Sequence, residues 1–396
     1  MILIDAVAFL LALPPILLLA VFSAEVAAGL RPLAASATDG ATPSTVVLIP
    51  AHDEAAGIAA TVASARASGD PNVAVLVVAD NCTDDTADRA RLAGARVVER
   101  YDAARRGKGY ALAFGRDALT ATPPACVVVL DADCAVAGRG VPALARAAVS
   151  ANRAAQARNL QRPDRTASAP AQISNFAFLV KNLVRQRGMV RLGGVAALTG
   201  TGMAVPWRRF AEAPLANADL AEDLALGTWL TLAGDPPVLD ETVHVWSSAE
   251  TGASLMIQRS RWERGFLAVT RRQALPLIGR GIACGSRSLL WLGLHLAVPP
   301  LALLFAGAGA VLAATALLAV LGASAAPVLL LAVAVLVAGV ATALAWSVEG
   351  RDWIAGRTLL RVPLYVAAKL PLYRGLMRRR GGGAWVRTHR APDADR

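Results

Sequence analysis

Two long stretches of the chain carry no charged residue, and they lie near its two ends. Nineteen residues separate Asp5 from Glu25, and 61 separate Arg287 from Glu349. Because a helix needs roughly 20 apolar residues to cross the hydrocarbon of a bilayer, the first stretch predicts one membrane-spanning helix over 6–24. The second predicts two, over 301–321 and 328–346, with 289–300 as an interfacial or partly inserted segment. The alternative for each is a buried core helix.

Basic residues flank these helices on one side. Arg31 follows the first helix, Arg287 precedes the second and Arg351 follows the third. Since cytoplasmic flanks are enriched in Lys and Arg, we expect the region between the first and second helices to lie in the cytoplasm. The pattern divides the chain into four parts: a membrane helix (1–30), a cytoplasmic domain (31–286), two membrane helices with the interfacial segment (287–348) and a cytoplasmic tail (349–396).

Between positions 45 and 133, short β-branched runs alternate with helical stretches. The runs predict strands over 45–50, 73–80, 95–99 and 126–133, and the stretches between them predict helices over 55–67, 84–93 and 109–119. Continuous apolar strands with intervening helices are typical of a parallel sheet that is buried on both faces. Ligands of such sheets bind beyond the carboxyl ends of the strands. Polar residues follow the predicted strands there: His52, Asp53, Glu54, Asp80, Asn81, Asp131 and Asp133.

The net charge of +11 is concentrated in the tail, which is rich in Arg. A basic segment beside a membrane helix is attracted to anionic lipids, so membrane lipids are expected partners. Nucleic acid is the rival partner, but no nucleic-acid recognition motif accompanies the charge. The four cysteines form no CxxC pair, and they indicate neither a disulfide framework nor a cysteine metal site.

Asp131-Ala132-Asp133 carries the clearest chemistry of the domain. Two carboxylates at the end of a buried strand can hold a hard divalent cation such as Mg²⁺ or Mn²⁺, which would bridge a diphosphate. The alternative is structural, because short acidic pairs close many strands as caps or turns. The position after the apolar run VVVL favours the metal site.

Six motifs follow one another along the chain: IPAHDEAAG, VVADNCTDD, RRGKGYAL, VVLDAD, AEDLALG and QRSRW. Together they resemble the membrane-bound family 2 glycosyltransferases of the QxxRW type, which include cellulose, chitin and hyaluronan synthases and bacterial exopolysaccharide enzymes. The resemblance covers roughly 45–286 and extends to the flanking membrane helices. It implies an α/β domain of the GT-A fold with a mostly parallel sheet, joined to one N-terminal and two C-terminal transmembrane helices, in a bacterial inner membrane.

For the donor, the resemblance implies that Glu54 and Asp80 hold the nucleobase and ribose of a sugar nucleotide, with UDP favoured. Relatives often have two acids at the second strand end, whereas Ala79 precedes Asp80 here. Lys108 is implied to contact the nucleotide or its diphosphate, and Asp131 and Asp133 to bind the divalent cation. For Glu54, the alternative is a structural role as an acid near the start of a helix. For Lys108, the alternative is a solvated lysine in a loop.

For the acceptor side, the resemblance implies that Asp223 is the catalytic base of an inverting transfer and that Glu222, beside it, binds substrate. Capping of the helix that follows would also explain both acids. In the QxxRW motif, Arg261 is implied to pair with the diphosphate and Trp262 to stack on a sugar. Gln258, on the same helix, is also implied to bind substrate. An amphipathic membrane-surface helix is the alternative. A small-residue loop is implied to frame the acceptor pocket: Gly200, Thr201 and Gly202.

The implied function is sugar transfer from a nucleotide sugar to a glycan or lipid-linked acceptor, preferably in exopolysaccharide synthesis. Three membrane helices are few for a sugar-conducting channel. An oligomer, an export partner or a lipid acceptor would resolve this, so a glycolipid-forming enzyme similar to ceramide glucosyltransferases is the alternative. A catalytically silent membrane subunit is a further one.

Overall fold

The computed structural model describes residues 2–34, 40–217, 221–247 and 252–369, with the side chains of 252–261 excepted. Its centre is an eight-stranded sheet in the order β3-β2-β1-β4-β7-β6-β8-β5. The strands are β1 (Thr45–Ala51), β2 (Val73–Asp80), β3 (Arg96–Arg100), β4 (Cys126–Val129), β5 (Cys134–Val136), β6 (Ala155–Gln161), β7 (Met203–Pro206) and β8 (Val238–Ser247).

The first four strands in this order are parallel, as the alternating pattern predicts. β7 is antiparallel to both β4 and β6, whereas β6 and β8 are parallel to each other. The predicted strand over 126–133 is too long, because pairing of β4 ends at Val129 and a turn carries Asp131 and Asp133 away from the sheet. Both acids are therefore placed beyond a carboxyl strand end, where ligands of α/β sheets bind.

Helices cover both faces of the sheet and continue beyond it. They are α1 (Ile2–Gly29), α2 (Ile58–Arg66), α3 (Thr86–Leu92), α4 (Lys108–Leu119), α5 (Gly140–Ala151), α6 (Ala169–Leu179), α7 (Arg185–Gly193), α8 (Trp207–Glu212), α9 (Glu222–Leu232), α10 (Gly252–Ala283), α11 (Arg287–Ala297), α12 (Leu301–Val320), α13 (Ala326–Ala345) and α14 (Gly356–Leu359). Two π-helical turns, Val180–Val184 and Trp346–Gly350, join α6 to α7 and extend α13, and residues 362–369 are helical.

Three of these helices are long and apolar enough to cross a membrane, and we call them the membrane-type helices: Ile2–Gly29, Leu301–Val320 and Ala326–Gly350. They agree with the three predicted spans. The first and third helices extend beyond the predicted bounds, and the second begins at the predicted residue and ends one residue earlier. α1 packs against both α12 and α13. Their shared core continues into α6 and the π-turn Val180–Val184, so the membrane-type helices and the sheet domain form one continuous packing unit.

Two buried arginines of α7 tie this unit together. Arg185 donates from Nε to Glu25 of α1 at 2.6 Å, and Arg187 pairs with Glu241 of β8 and with Glu349 at the end of the third membrane-type helix. Removing one partner of a buried ion pair leaves an uncompensated charge, which is strongly destabilising. These pairs therefore fix the orientation of the membrane-type helices on the sheet domain.

The segment 289–300, predicted as interfacial or partly inserted, is mostly helix α11. Leu289, Leu292 and Leu296 are buried, and they pack in one cluster with residues of α7 and α10. The side chain of His295 is also buried and lies 3.0 Å from Glu25. The helix is thus held by the protein on its apolar face, with Pro299 and Pro300 separating it from α12.

Candidate active site

A single cavity of about 1570 Å³ runs from the carboxyl ends of β1 and β4 to the ends of the membrane-type helices. At the sheet it is lined by acidic residues and Lys108, and at the other end by Phe22, Leu301, Phe305 and Thr342. Ordinary small-molecule sites measure about 300–1,000 Å³. The cavity is therefore large enough for two substrates, one at the polar end and one at the apolar end.

Asp131 and Asp133 line the polar end, in the turn after β4. The backbone N–H of Asp131 donates to Thr201 Oγ1 at 3.1 Å, which fixes the turn. Ligand atoms of Asp131, Asp133 and Cys134 lie within 4.8 Å of one another. Burial and the two neighbouring carboxylates raise the pKa of the Cys134 thiol well above its usual range, so it stays protonated. The donor set that remains is carboxylate oxygen, which suits Mg²⁺ or Mn²⁺.

Lys108 lies at the centre of the acidic residues. Its Nζ is 2.6 Å from Asp131 Oδ1, 3.2 Å from Glu222 Oε1 and 2.7 Å from the carbonyl oxygen of Gly200. The neighbouring carboxylates raise the pKa of Lys108 despite the cost of burial. The GKG motif starts α4 at this lysine, with the left-handed Gly107 before it (φ 131°). Lys108 is therefore a fixed positive charge and no mobile surface lysine.

Asp223 faces the same point from the first turn of α9. Burial, followed by the nearby charge of Glu222, raises its pKa to about 7, although Lys108 opposes this shift. A carboxylate with a pKa near neutrality is well matched to proton transfer at physiological pH. Both acids stand in the first turn of α9, as the sequence predicts. The capping and catalytic interpretations therefore remain compatible.

The loop Gly200, Thr201 and Gly202 divides into two parts. A Cβ built on Gly200 would lie 3.5 Å from both Asp223 Oδ2 and Lys108 Nζ, and 4.0 Å from Asp131 Oδ2. Asp131 and Asp223, which are more than 90 positions apart in the sequence, therefore both lie close to Gly200, together with Lys108. Gly200 and Thr201 line the cavity, whereas Gly202 has φ 63°, packs on Val245 and does not belong to the lining.

The two predicted donor acids differ in their surroundings. Glu54 lines the cavity just before α2. Asp80 is buried at the end of β2, and its Oδ1 accepts hydrogen bonds from Arg100 at 2.6 Å and from Asn81 at 2.9 Å. Burial raises the pKa of Asp80 more than Arg100 lowers it. Asp80 is not part of the cavity lining, and its role in donor binding stays a prediction.

The three residues of the QxxRW motif lie on α10. Trp262 lines the cavity, and its ring centroid is 5.8 Å from that of Phe178. The side chains of Gln258 and Arg261 lie outside the described residues. What the structure describes therefore places the aromatic member of the motif at the cavity wall.

The sequence of the chain matches a known protein family. A family model described as "Glycosyltransferase like family 2" matches residues 43–265, which are more than half of the chain. The chain belongs to this family of glycosyltransferases. No curated protein matches the sequence.

This glycosyltransferase is similar to solved structures to different extents. Mannosyltransferase PcManGT from Pyrobaculum calidifontis, solved in complex with GDP-Man and Mn²⁺, is 17% identical with a TM-score of 0.57 over 92% of this chain and 98% of its own. Glucosyl-3-phosphoglycerate synthase from Mycobacterium tuberculosis, solved with Mg²⁺ and UDP, is 22% identical with a TM-score of 0.38 over 58% of this chain and 79% of its own. The first of these similarities supports the GT-A fold over nearly the whole chain.

Sequence reasoning missed three basic residues that line the cavity. Two of them are Lys181, on the π-turn Val180–Val184, and Arg185, which directly follows that turn. Farther along the wall, Lys369 Nζ lies 2.5 Å from Glu263 Oε1. No motif marks these positions. The available signal was composition, because the chain has only three lysines and all three line the cavity.

Proposed function

We propose that this glycosyltransferase carries out an inverting transfer of a sugar from a nucleotide sugar to an acceptor that reaches the cavity from the membrane. The single observation that carries the proposal is the continuity of the cavity. Its acidic end joins the sheet, and its apolar end lies between α1, α12 and α13. A donor in the polar end and a membrane-derived acceptor in the apolar end would meet near Gly200.

Asp223 is the proposed catalytic base. In an inverting transfer, the acceptor oxygen forms a bond to the anomeric carbon while the bond from that carbon to the diphosphate oxygen breaks. The leaving nucleoside diphosphate takes the bonding electrons, and the hydroxyl proton passes to Asp223. The raised pKa, which burial and Glu222 produce, suits a group that accepts this proton near pH 7.

Asp131 and Asp133 are the proposed ligands of a divalent cation. When bound, Mg²⁺ or Mn²⁺ neutralises negative charge on the diphosphate leaving group. The carboxylate donor set of the turn fits such a cation, and PcManGT, which has a similar fold, is solved with Mn²⁺. Lys108, fixed among the carboxylates, would add a second positive charge beside the diphosphate.

The proposed roles of the other predicted residues follow the resemblance. Glu54 would bind the nucleoside, Arg261 the diphosphate, and Trp262 an acceptor or sugar ring. The four-part division of the chain, with a cytoplasmic catalytic domain in a bacterial inner membrane, belongs to the same proposal. It is supported by three apolar helices of sufficient length.

A lipid acceptor is favoured over a growing polysaccharide. The cavity leaves the polar site toward Phe22, Phe305 and Thr342, at the ends of the three membrane-type helices. A polysaccharide is polar, and such apolar walls do not suit it, whereas the hydrocarbon of a lipid gains from burial there. A role in exopolysaccharide synthesis would then require a lipid-linked intermediate as acceptor. A glycolipid product needs no such intermediate, because its lipid would itself occupy the apolar end of the cavity.

The test uses the full chain in nanodiscs with a panel of UDP-sugars and GDP-sugars and either Mg²⁺ or Mn²⁺. We expect release of nucleoside diphosphate and labelled sugar in the lipid extract with one donor. Asp223→Asn should abolish both signals. Absence of nucleoside diphosphate release with every donor would support the silent-subunit alternative and contradict the proposal.

A further inference from the structure

The three lysines of the chain occupy one cavity, but only two of them have a carboxylate partner. Lys108 pairs with Asp131 and Glu222, and Lys369 pairs with Glu263. Over the described part of the chain, Lys181 forms neither a hydrogen bond nor an ion pair. Its Nζ lies over the aromatic ring of Phe266, 4.8 Å from the ring centroid.

Burial lowers the pKa of Lys181, although the more distant charges of Asp223 and Glu263 act in the opposite direction. Among the described residues, no carboxylate lies within ion-pair distance of this ammonium group. The side chain of Lys181 is partly exposed and lines the cavity, so a bound ligand can reach it. A cation retained at such a position indicates a ligand that supplies the missing anion.

A second cation stands close by on the same wall. Arg185 follows Lys181 by four residues, and both line the cavity. The π-turn Val180–Val184 widens the helix at this point, and such turns occur often at functional sites. Arg185 uses Nε for Glu25 and Nη2 for His295. Among the described residues, its Nη1 has no hydrogen-bond partner.

The position of these cations separates them from the donor subsite. Lys108, Asp131 and Glu222 form the polar end. The π-turn that carries Lys181 connects this end with the apolar one. Asn182 of the turn donates to the carbonyl oxygen of Asn159 at 3.4 Å, and Asn159 donates to that of Thr199, beside Gly200, at 3.1 Å. Arg185, just after the turn, has its Cζ 5.8 Å from the ring centroid of Phe22. An anion on Lys181 would therefore stand between the Gly200 loop, which Asp223 faces, and the apolar end.

We infer that the acceptor is a phospholipid-type molecule that carries a phosphate beside the hydroxyl it offers to Asp223. Its phosphate binds Lys181 and Arg185, and its hydrocarbon lies against Phe22, Phe305 and neighbouring apolar residues. This inference rests on the proposed function and adds the chemical class of the acceptor. Two independent observations support it: the unpartnered cation in the middle of the cavity and the apolar extension toward the membrane-type helices.

The experiment supplies acceptors in phosphatidylcholine nanodiscs that contain the full chain, the active donor and Mn²⁺. Phosphatidylglycerol offers phosphate and hydroxyl, diacylglycerol offers hydroxyl alone, and an isoprenoid monophosphate offers phosphate alone. We expect phosphatidylglycerol to be glycosylated at a rate at least about tenfold above diacylglycerol, the effect expected of one charged hydrogen bond. Equal rates for these two lipids, or exclusive use of the isoprenoid monophosphate, would overturn the inference.

Variants of Lys181 make the test specific. Lys181→Gln should raise KM for phosphatidylglycerol roughly tenfold without raising KM for diacylglycerol, while Lys181→Arg should keep most of the affinity for phosphatidylglycerol. Arg357→Gln is the matched control, because Arg357 is an exposed cation outside the cavity. An equal KM in Lys181→Gln and Arg357→Gln contradicts the anion site. If no donor is cleaved at all, the proposed function itself fails.

Discussion

The ammonium nitrogen of Lys108 lies 2.6 Å from Oδ1 of Asp131. The same nitrogen contacts Glu222 and the carbonyl of Gly200, so one lysine neutralises part of a cluster of four carboxylates. This charge balance determines how readily Asp223 loses its proton, because the positive charge of Lys108 favours the carboxylate form.

Replacing Lys108 should therefore alter the pH dependence of the reaction. Without the lysine charge, the pKa of Asp223 rises above 7, and the acid limb of the pH–rate profile moves to higher pH. We expect this shift in the residual activity of Lys108→Gln, measured as nucleoside diphosphate release from pH 5 to 9. Lys108→Arg keeps the charge and should keep the wild-type acid limb. An unchanged acid limb in Lys108→Gln would refute this coupling.

The pKa of Asp223 should determine the pH–rate profile of the wild-type enzyme. A base acts in its deprotonated form, so kcat should rise as the pH increases through about 7, the raised pKa of Asp223. Asp223→Asn should lower kcat by about 10²–10⁴-fold, the usual contribution of general-base catalysis. A loss of less than a few fold would argue for the capping role alone.

Stability provides the control for that variant. The folded-state pKa of Asp223 lies above its unfolded value, so ionisation opposes folding as the pH rises from the unfolded pKa through about 7. Asp223→Asn removes this cost. Its melting temperature at pH 8 without divalent cation should equal or exceed that of the wild type, and a lower value would point to a structural loss.

The cation requirement should depend on Asp133. Asp133→Asn removes one carboxylate of the turn without disturbing the Lys108 ion pair with Asp131. The Mn²⁺ concentration for half-maximal activity should rise by about tenfold or more, as expected when a charged ligand is lost. Asp88→Asn is the control, because Asp88 is an exposed acid of α3 outside the cavity. Equal Mn²⁺ dependence in both variants would contradict the assignment.

Much of the parallel half of the sheet could be predicted from sequence because β1, β2 and β4 are almost entirely apolar. Strands β6 and β8 could not, since they bury polar residues. Gln156 bonds to the backbone of the loop at Thr201 and Gly202, and Glu241 pairs with Arg187 of α7. Side chains that satisfy each other across distant segments leave no apolar pattern in either segment.

The site shows the same division. Asp131, Asp133, Lys108 and Asp223 belong to local motifs, and the structure brings them to one end of one cavity. The route of that cavity to the membrane-type helices depends on how α1, α12 and α13 pack, and apolar helices of similar composition do not encode their mutual positions in a readable pattern. Lys181 belongs to no motif, and the rarity of lysine is the signal that the sequence offers for it; its place in the cavity depends on packing.

The contact between α1 and α7 yields a final prediction. A Cβ on Gly188 would lie 1.9 Å from the carbonyl oxygen of Glu25, and a Cβ on Gly29 would lie 1.8 Å from that of Val184. The two backbones therefore touch where the first membrane-type helix meets the sheet domain. Gly188→Ala should separate them and strain the ion pair between Glu25 and Arg185, at a cost of about 1–3 kcal/mol or more.

Thermal unfolding of the protein in detergent measures this effect. Gly307→Ala is the matched control, because nothing lies within 4 Å of a Cβ at Gly307 in α12. Alanine favours a helix over glycine by roughly 1 kcal/mol, so Gly307→Ala should leave the melting temperature unchanged or raise it. Gly188→Ala should lower it. Equal melting temperatures in the two variants would mean that the helices do not dock as closely as Gly29 and Gly188 require.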